Sequence, residues 1–222
     1  MRVSLRVSSW ILLLDQSQKG AAMDRSAITS SGEEPRGVAI STVSMPRVII
    51  TGGPGVGKTT LLAELAARGY TTVEESARAI IAERLASGAG PRPDPLAFAH
   101  EILRRDIEKY FWQQHTSNRV FFDRGVIEAI GMVHEASPLP AEELKALLSA
   151  YPFYSLVFTL PPWEAIYTND AERDQSFADA VSVHARIEQW YGSCGYILHE
   201  VPRLPVPQRA DHILRVLAES AA

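Results

Sequence analysis

The sequence lacks the residues from which several common kinds of site are built. Cys194 is the single cysteine among 222 residues, which excludes an internal disulfide and favours a reducing, cytoplasmic setting. The six histidines show no spacing typical of zinc ligands, so no zinc site is expected. The 22 Lys and Arg residues, against 26 Asp and Glu residues, are scattered along the chain, and we predict no nucleic-acid partner.

Long apolar runs are missing as well. Residues 7–14 are apolar and follow Arg2 and Arg6, but this segment is too short to cross a bilayer, and no stable membrane span is predicted. The segment has the size of a signal-peptide core, although the polar residues 15–19 make a poor cleavage region. Secretion is therefore the weaker of two interpretations.

The stronger interpretation treats the first part of the chain as an extension. Residues 16–44 are rich in Ser, Gly and Ala and have no apolar periodicity, as is typical of disordered segments. Met45 stands directly before the first strand pattern and is an alternative start of the chain. We expect residues 1–44 to be a disordered extension and residues 45–222 to form a single domain.

A complete glycine-rich loop is present in that domain. The segment from Gly52 to Thr59 reads GGPGVGKT and satisfies the pattern G-x-x-x-x-G-K-[ST]. The apolar, β-branched residues 47–51 before it predict a buried strand. Residues 60–68 after it predict a helix, which Gly69 closes at its carboxyl end. A strand, a glycine loop and a helix in this order form a phosphate-binding loop.

The chemistry of this loop indicates a nucleoside triphosphate with Mg²⁺. Glycines let backbone N–H groups converge on a phosphate, and the helix N-terminus adds partial positive charge. We expect Lys58, in a solvent-facing loop, to reach the β- and γ-phosphates and the Thr59 hydroxyl to hold Mg²⁺. Neither Asn118 nor Asn169 begins an N-K-x-D motif, which favours ATP over GTP. The predicted nucleotide-binding residues are Gly52, Gly53, Pro54, Gly55, Val56, Gly57, Lys58, Thr59 and Thr60.

Strand patterns alternate with helix patterns through the rest of the chain. After the first strand, strands are predicted at residues 70–74, 120–123, 155–160 and 196–201. Helices are predicted at residues 75–85, around 99–111, 127–134, 141–150 and 207–218, and an amphipathic stretch covers residues 163–191. This alternation predicts an α/β P-loop NTPase fold of three layers, with a parallel five-stranded sheet and helices on both faces. Ligand sites in such folds lie at the carboxyl ends of the strands.

Several charged residues follow these strands. Asp123 ends the third strand, where a carboxylate is typical of the Walker B arrangement that binds Mg²⁺ directly or through water; an ordinary strand-ending Asp is the alternative. Glu75 follows the second strand and could accept a proton from a substrate hydroxyl or position water. It could equally be a helix N-terminal Glu that favours the dipole, and Glu74 is a competing candidate. Arg78 and Arg124 are the candidate substrate-binding residues.

A fourth candidate comes after the fourth strand. Arg173 ends the segment Asp170-Ala171-Glu172-Arg173, and an arginine there could close over the phosphates and neutralise transition-state charge. The alternative is a solvated helical face with i, i+3 ion pairs.

Taken together, these residues resemble the P-loop family grouped around the nicotinamide riboside kinase domain of NadR, often labelled AAA-type ATPase domains. The resemblance covers nearly all of the chain from Pro46 onward. It implies a nucleoside-kinase-like core, with Arg173 in a lid-like position. The motifs that carry it are ITGGPGVGKTT at 50–60, ESAR at 75–78, FFDRG at 121–125, LPPW at 160–163, DAERDQSF at 170–177 and YILHEVP at 196–202.

We predict Mg²⁺-dependent transfer of the γ-phosphoryl group of ATP, either to an unidentified small molecule, as in a kinase, or to water, as in an ATPase. If the protein is a kinase, we expect a closed acceptor pocket bounded by Glu75, Arg78, Arg124 and the loop at residues 88–95. The alternative is a binding protein of another class, in which bound nucleotide orders a surface for a lipid or protein partner. In that case we expect an exposed apolar patch. The candidate catalytic residues are Lys58, Asp123, Glu75 and Arg173.

Overall fold

The computed structural model describes residues 47–90, 93–113, 118–167 and 176–220. The predicted extension at residues 1–44 lies outside these ranges, so its boundary stays a prediction. Within the described ranges, no helix has the length and apolar character needed to cross a membrane.

Five strands alternate with seven α-helices and one 3₁₀ turn in the described part of the chain. The strands are β1 (Arg47–Gly52), β2 (Thr71–Val73), β3 (Val120–Asp123), β4 (Leu156–Leu160) and β5 (Ile197–Glu200). The helices are α1 (Lys58–Ala67), α2 (Ser76–Ala86), α3 (Pro95–Trp112), α4 (Val126–Ala136), α5 (Ala141–Ala150), α6 (Phe177–Ser193) and α7 (Val206–Glu219), and the 3₁₀ turn is Glu164–Ile166.

The strands form one parallel sheet in the order β2-β3-β1-β4-β5, which confirms the predicted five-stranded parallel sheet. β1 occupies the centre, and its residue Ile50 is in register with Asp123 of β3 and with Phe158 of β4. The carboxyl ends of β1, β3 and β4 therefore meet at one edge of the sheet. This edge carries the glycine loop and Asp123, as expected for a fold of this class.

Helices cover both faces of the sheet, because successive side chains of a strand point to opposite faces. Val48 and Ile50 of β1 pack with α1 and α7 on one face. Ile49 packs with α4 and α6 on the other. The apolar run of β1 is thus buried on both sides, and the predicted three-layer arrangement is confirmed.

Local signals explain where two of the helices begin. α3 starts after Asp94, whose carboxylate accepts hydrogen bonds from the backbone N–H groups of Leu96 and Ala97, with Pro95 at its first position. α6 starts with a capping box formed by Ser176 and Asp179. These caps fix the residues at which the two helices begin.

Candidate active site

The glycine loop joins β1 to α1 and has little room for side chains. A Cβ atom at Gly52 would lie 2.5 Å from the carbonyl oxygen of Leu160 in β4, so the neighbouring strand tolerates only glycine there. Gly57 precedes α1 with φ 84°, a left-handed conformation that favours glycine. The first N–H groups of an α-helix have no partner within the helix, so the start of α1 can donate hydrogen bonds to an anion.

Lys58 is buried, with 7% of its surface exposed, and it is the first residue of α1. The prediction of a solvent-facing position was therefore wrong. Its side chain folds back across the loop, where Nζ donates hydrogen bonds to the carbonyl oxygens of Gly52 at 3.0 Å and Gly53 at 2.9 Å. Burial, reinforced by the nearby charge of Arg124, lowers the pKa of Lys58 to about 8.

Asp123 lies at the end of β3 and is also buried. Burial raises the pKa of its carboxyl group, against the opposing charges of Lys58 and Arg124. Its Oδ1 atom is buried and has no hydrogen-bond partner in the described part of the protein. An anionic oxygen without a partner is costly inside a protein unless a cation or a proton compensates it.

A cavity of about 350 Å³ opens over the glycine loop. Asp123 and the exposed Thr59 both line it. These two oxygen donors fit Mg²⁺, which is typically bound by one or two protein oxygens together with phosphates and water. No cluster of three or more His, Cys, Asp or Glu side chains capable of holding a metal occurs among the described residues. The other loop residues on this cavity are Gly55, Val56, Gly57, Lys58 and Thr60.

Arg124 belongs to a buried charge network beside this cavity. Its guanidinium group forms an ion pair with Glu128 of α4, and its Nε lies 3.2 Å from Oε1 of Glu75. Glu128 also accepts a hydrogen bond of 2.7 Å from the Thr51 hydroxyl. Sequence reasoning did not select Glu128. The available signal was the acidic side chain of Glu128 in the first turn of α4, four residues after Arg124.

Glu75 stands between the sheet edge and α2. Besides Arg124, it faces Arg78, whose Nε lies 3.8 Å from Glu75 Oε2. Its competitor Glu74 is exposed and lines neither cavity, while its backbone carbonyl accepts a hydrogen bond of 2.6 Å from Lys109. The geometry therefore favours Glu75 over Glu74 as the carboxylate of the site.

A larger cavity of about 790 Å³ adjoins the first. Lys58, Glu75 and Arg78 line both cavities, and Pro54 and Arg124 line the larger one. None of the described residues of the predicted loop at 88–95, which are residues 88–90 and 93–95, lines this cavity, and residues 91 and 92 lie outside the described ranges. Helices supply the remaining wall instead, with the apolar side chains of Ile81, Phe98, Met132, Val183, Ile187 and Trp190.

Arg209 of α7 is a further residue that sequence reasoning missed. It is buried, lines the smaller cavity and donates from Nη1 to the carbonyl oxygen of Val56 at 3.2 Å. Its guanidinium carbon lies 5.7 Å from the centre of the Trp163 ring. No local pattern marks this arginine, because only the packing of α7 against α1 brings it to the loop. Arg173, the remaining candidate, lies outside the described residues.

Comparison with known proteins agrees with this architecture. A family model described as an AAA domain matches residues 47–209. No curated protein shows significant similarity to the sequence.

Solved structures match the fold at low sequence identity. NadR protein in complex with NR is 18% identical with a TM-score of 0.56, and the match covers 79% of this chain and 51% of that one. Deoxyadenosine kinase from M. mycoides with bound dATP is 15% identical with a TM-score of 0.54, covering 78% of this chain and 99% of that one. Thymidylate kinase from Candida albicans is 13% identical with a TM-score of 0.54, covering 80% and 93%. The chain therefore has the fold of P-loop kinases.

Proposed function

This chain belongs to the AAA domain family, and from that premise we propose that it transfers the γ-phosphoryl group of ATP to a hydroxyl group of a small molecule, with Mg²⁺ as cofactor. One observation carries the proposal, namely the two adjoining cavities that share Lys58, Glu75 and Arg78. A phosphate donor in the smaller cavity and an acceptor in the larger one would meet at these three side chains.

The residues of the smaller cavity fit the donor. In the proposal, the loop N–H groups and Lys58 bind the phosphates, and Thr59 and Asp123 hold Mg²⁺. When bound, Mg²⁺ supplies positive charge that neutralises the phosphate oxygens and orients them. The unpartnered Oδ1 of Asp123 supports this role, since a cation would compensate its burial.

The residues shared by the two cavities fit the transfer itself. The acceptor oxygen forms a bond to the γ-phosphorus while the bond from that phosphorus to the bridging oxygen breaks, and ADP leaves with the electron pair. We assign the acceptor's hydroxyl proton to the carboxylate of Glu75, with Arg78 and Arg124 as the cations that orient the acceptor and the transferred group. Positioning and electrostatics carry most of the catalysis in such reactions.

The lining of the larger cavity narrows the class of acceptor. Its polar side chains include the three shared with the donor cavity, and its helical wall contains Phe98, Met132 and Trp190. The Trp190 ring is fixed by a hydrogen bond of 2.9 Å from Nε1 to the carbonyl oxygen of Ile127. We therefore propose an acceptor with a hydroxyl group at one end and an apolar or planar body at the other.

Water as the acceptor would need no cavity of this size, so the structure gives no reason to prefer an ATPase. A nucleotide-dependent binding surface is not favoured either. The exposed large apolar residues of the described ranges lie on five different segments rather than on one: Leu85, Trp112, Val181, Ile197 and Leu204.

A screen of hydroxyl compounds tests the proposal directly. ADP release is measured with the chain, Mg²⁺ and ATP, with each compound present or absent. We expect at least one compound with an apolar or planar body to raise ADP release well above the rate with water and to gain a phosphoryl group detectable by mass spectrometry. ADP release that no compound stimulates would instead indicate an ATPase.

Asp123→Asn tests the metal assignment. The substitution removes a metal-directed charge and keeps the size of the side chain, so turnover at saturating ATP should fall by about a hundredfold, in the range seen when one transition-state-stabilising group is lost. ATP affinity measured by calorimetry should change far less. Asp211→Asn is the matched control, because Asp211 is largely exposed and pairs with Arg68. Turnover near that of the wild type at saturating Mg²⁺ would show that Asp123 is structural.

A further inference from the structure

We propose that Glu128 is a positioning residue that holds Arg124 away from Asp123 and so keeps the Asp123 carboxylate available to Mg²⁺. The inference rests on the proposed function, since it takes Asp123 as a metal-binding residue. Glu128 lines the larger cavity, but the proposed transfer gives it no role.

Asp123 and Arg124 form no hydrogen-bonded ion pair with each other, although they are neighbours in the chain. Arg124 directly follows Asp123, and both side chains are largely buried. A guanidinium group and a carboxylate in such surroundings normally form a strong, charge-assisted hydrogen bond. Yet Oδ1 of Asp123 has no hydrogen-bond partner in the described part of the chain. The guanidinium group of Arg124 makes its contacts elsewhere.

The backbone and two carboxylates supply those contacts. Arg124 has φ 67°, the single positive φ among the described non-glycine residues, and its N–H donates to the carbonyl oxygen of Ile50 at 3.1 Å. This left-handed conformation is unfavourable for an arginine. Its Nη1 donates a hydrogen bond to Glu128, and its Nε lies 3.2 Å from the Glu75 carboxylate, an ion pair without a hydrogen bond.

Glu128 is the better anchored of the two carboxylates. Its Oε1 atom faces Arg124, while Oε2 accepts hydrogen bonds from the Thr51 hydroxyl at 2.7 Å and from the Tyr191 hydroxyl at 3.4 Å. The sheet and α6 thus fix one oxygen of Glu128, and the other holds the arginine. Neutralising Glu128 leaves a buried guanidinium group without its main counter-charge. We expect the guanidinium group then to pair with the carboxylate of Asp123, the residue directly before it, with which it already interacts electrostatically.

Binding of Mn²⁺ as a probe for Mg²⁺, followed by electron paramagnetic resonance with a non-hydrolysable ATP analogue, tests this without turnover. Glu128→Gln should weaken Mn²⁺ binding about tenfold, within the range of coupling between contacting residues. Tyr191→Phe is the matched control, because it removes a contact to Oε2 and leaves the charge of Glu128 in place, and Mn²⁺ affinity should be unchanged. Glu128→Asp, which keeps the charge at shorter reach, should give an intermediate loss and carries the test if Glu128→Gln does not fold.

A double-mutant cycle with Arg124→Leu identifies the route of the effect. If Glu128 acts through Arg124, Glu128→Gln should leave Mn²⁺ affinity unchanged in the Arg124→Leu background. An equal loss in both backgrounds, or no loss in either, overturns the inference.

Asp123→Asn separates this inference from the proposed function. If Asp123→Asn leaves Mn²⁺ affinity at the wild-type value, the metal assignment is wrong and the inference falls with it. If Asp123→Asn weakens binding but Glu128→Gln does not, the metal assignment stands and only the role of Glu128 is refuted.

Discussion

Lys58 combines a buried ammonium group with the need to meet phosphate. Its ammonium group donates hydrogen bonds to the carbonyl oxygens of Gly52 and Gly53. Burial and the charge of Arg124 bring its pKa down to about 8. A lysine so placed is only partly protonated in mildly alkaline solution, whereas phosphates bind to its charged form.

This makes ATP affinity depend on pH in a definite direction. Bound phosphates raise the pKa of Lys58, so ATP binding above about pH 8 must take up a proton. We expect ATP affinity, measured by calorimetry from pH 7 to pH 10, to be flat below pH 8 and to fall by up to about tenfold per pH unit above it. Lys58→Met, which has a side chain of similar length and no charge, should bind ATP weakly and without this slope. A wild-type profile that stays flat to pH 10 would contradict the assigned role of Lys58.

Single residues also show how far sequence reasoning reaches. The loop residues and Asp123 are recognisable because their chemistry depends on neighbours in the chain, a strand before and a helix after. The burial of Lys58 could not be predicted from the sequence, because it results from the path of the side chain back over the loop. Arg209 comes from the last helix in the sequence, and only tertiary packing places it beside Val56.

At the scale of elements, the contact between α2 and α3 sets the position of Glu75. Ser76, the first residue of α2, donates a hydrogen bond of 2.5 Å to Asp106 of α3, and both side chains are buried. Burial raises the pKa of Asp106 to about 7, although the hydrogen bond from Ser76 opposes this shift. The start of α2 is therefore attached to α3 through a carboxyl group that titrates near neutral pH.

The raised pKa predicts how stability varies with pH. From about pH 4 to pH 7 the unfolded chain has lost the Asp106 proton while the folded protein retains it, so this group's contribution to stability falls as pH rises. Asp106→Asn stays neutral in both states and removes that loss. It should raise the melting temperature at pH 8 by about 5 °C, since each kcal/mol corresponds to about 2–4 °C in a domain of this size.

The control for this prediction is Glu108→Gln on the same helix, where Glu108 is partly exposed and pairs with Arg104. Its melting temperature should stay close to that of the wild type, because exposed pairs contribute little. Differential scanning calorimetry at pH 4.5 and pH 8 gives both values. An Asp106→Asn variant that is less stable than the wild type at pH 8 would show that the charged carboxylate is needed in the fold.

Elements were predicted more reliably than the cavity that they enclose. The strands β1, β3 and β4 could be recognised because each is a short, buried, mostly apolar run, and the interior of a parallel sheet requires such runs. The cavity wall formed by Phe98, Met132 and Trp190 could not be recognised from the sequence, since apolar side chains on amphipathic helices are usually core residues. The sequence shows which helix face is apolar but not which part of that face borders a cavity.

At the scale of the whole molecule, the described residues between 47 and 220 form one sheet with a helix-covered core on each face. β1 is completed by β3 and β4 on its two sides, and both faces of the sheet are covered by helices of the same range. The sequence of residues 1–44 lacks the apolar periodicity that would join it to such a core.

Deletion of residues 1–44 should therefore cost little. We expect the melting temperature of the shortened chain to lie within about 2 °C of the full chain, less than the effect of 1 kcal/mol, and ATP affinity to be unchanged. Calorimetry of both chains supplies the measurement. A drop of many degrees would show that the extension packs on the domain.

The central position of β1 has a consequence for the order in which the chain is made. β1 is synthesised before both of its neighbours, which end only at residues 123 and 160. Until then, a nascent chain carries an apolar strand with two open edges and the loop that follows it. Pairing over such sequence separation is slow, and unpaired edges favour aggregation. Ribosome-bound chains that stop before β4 should thus recruit chaperones more strongly than chains that include it.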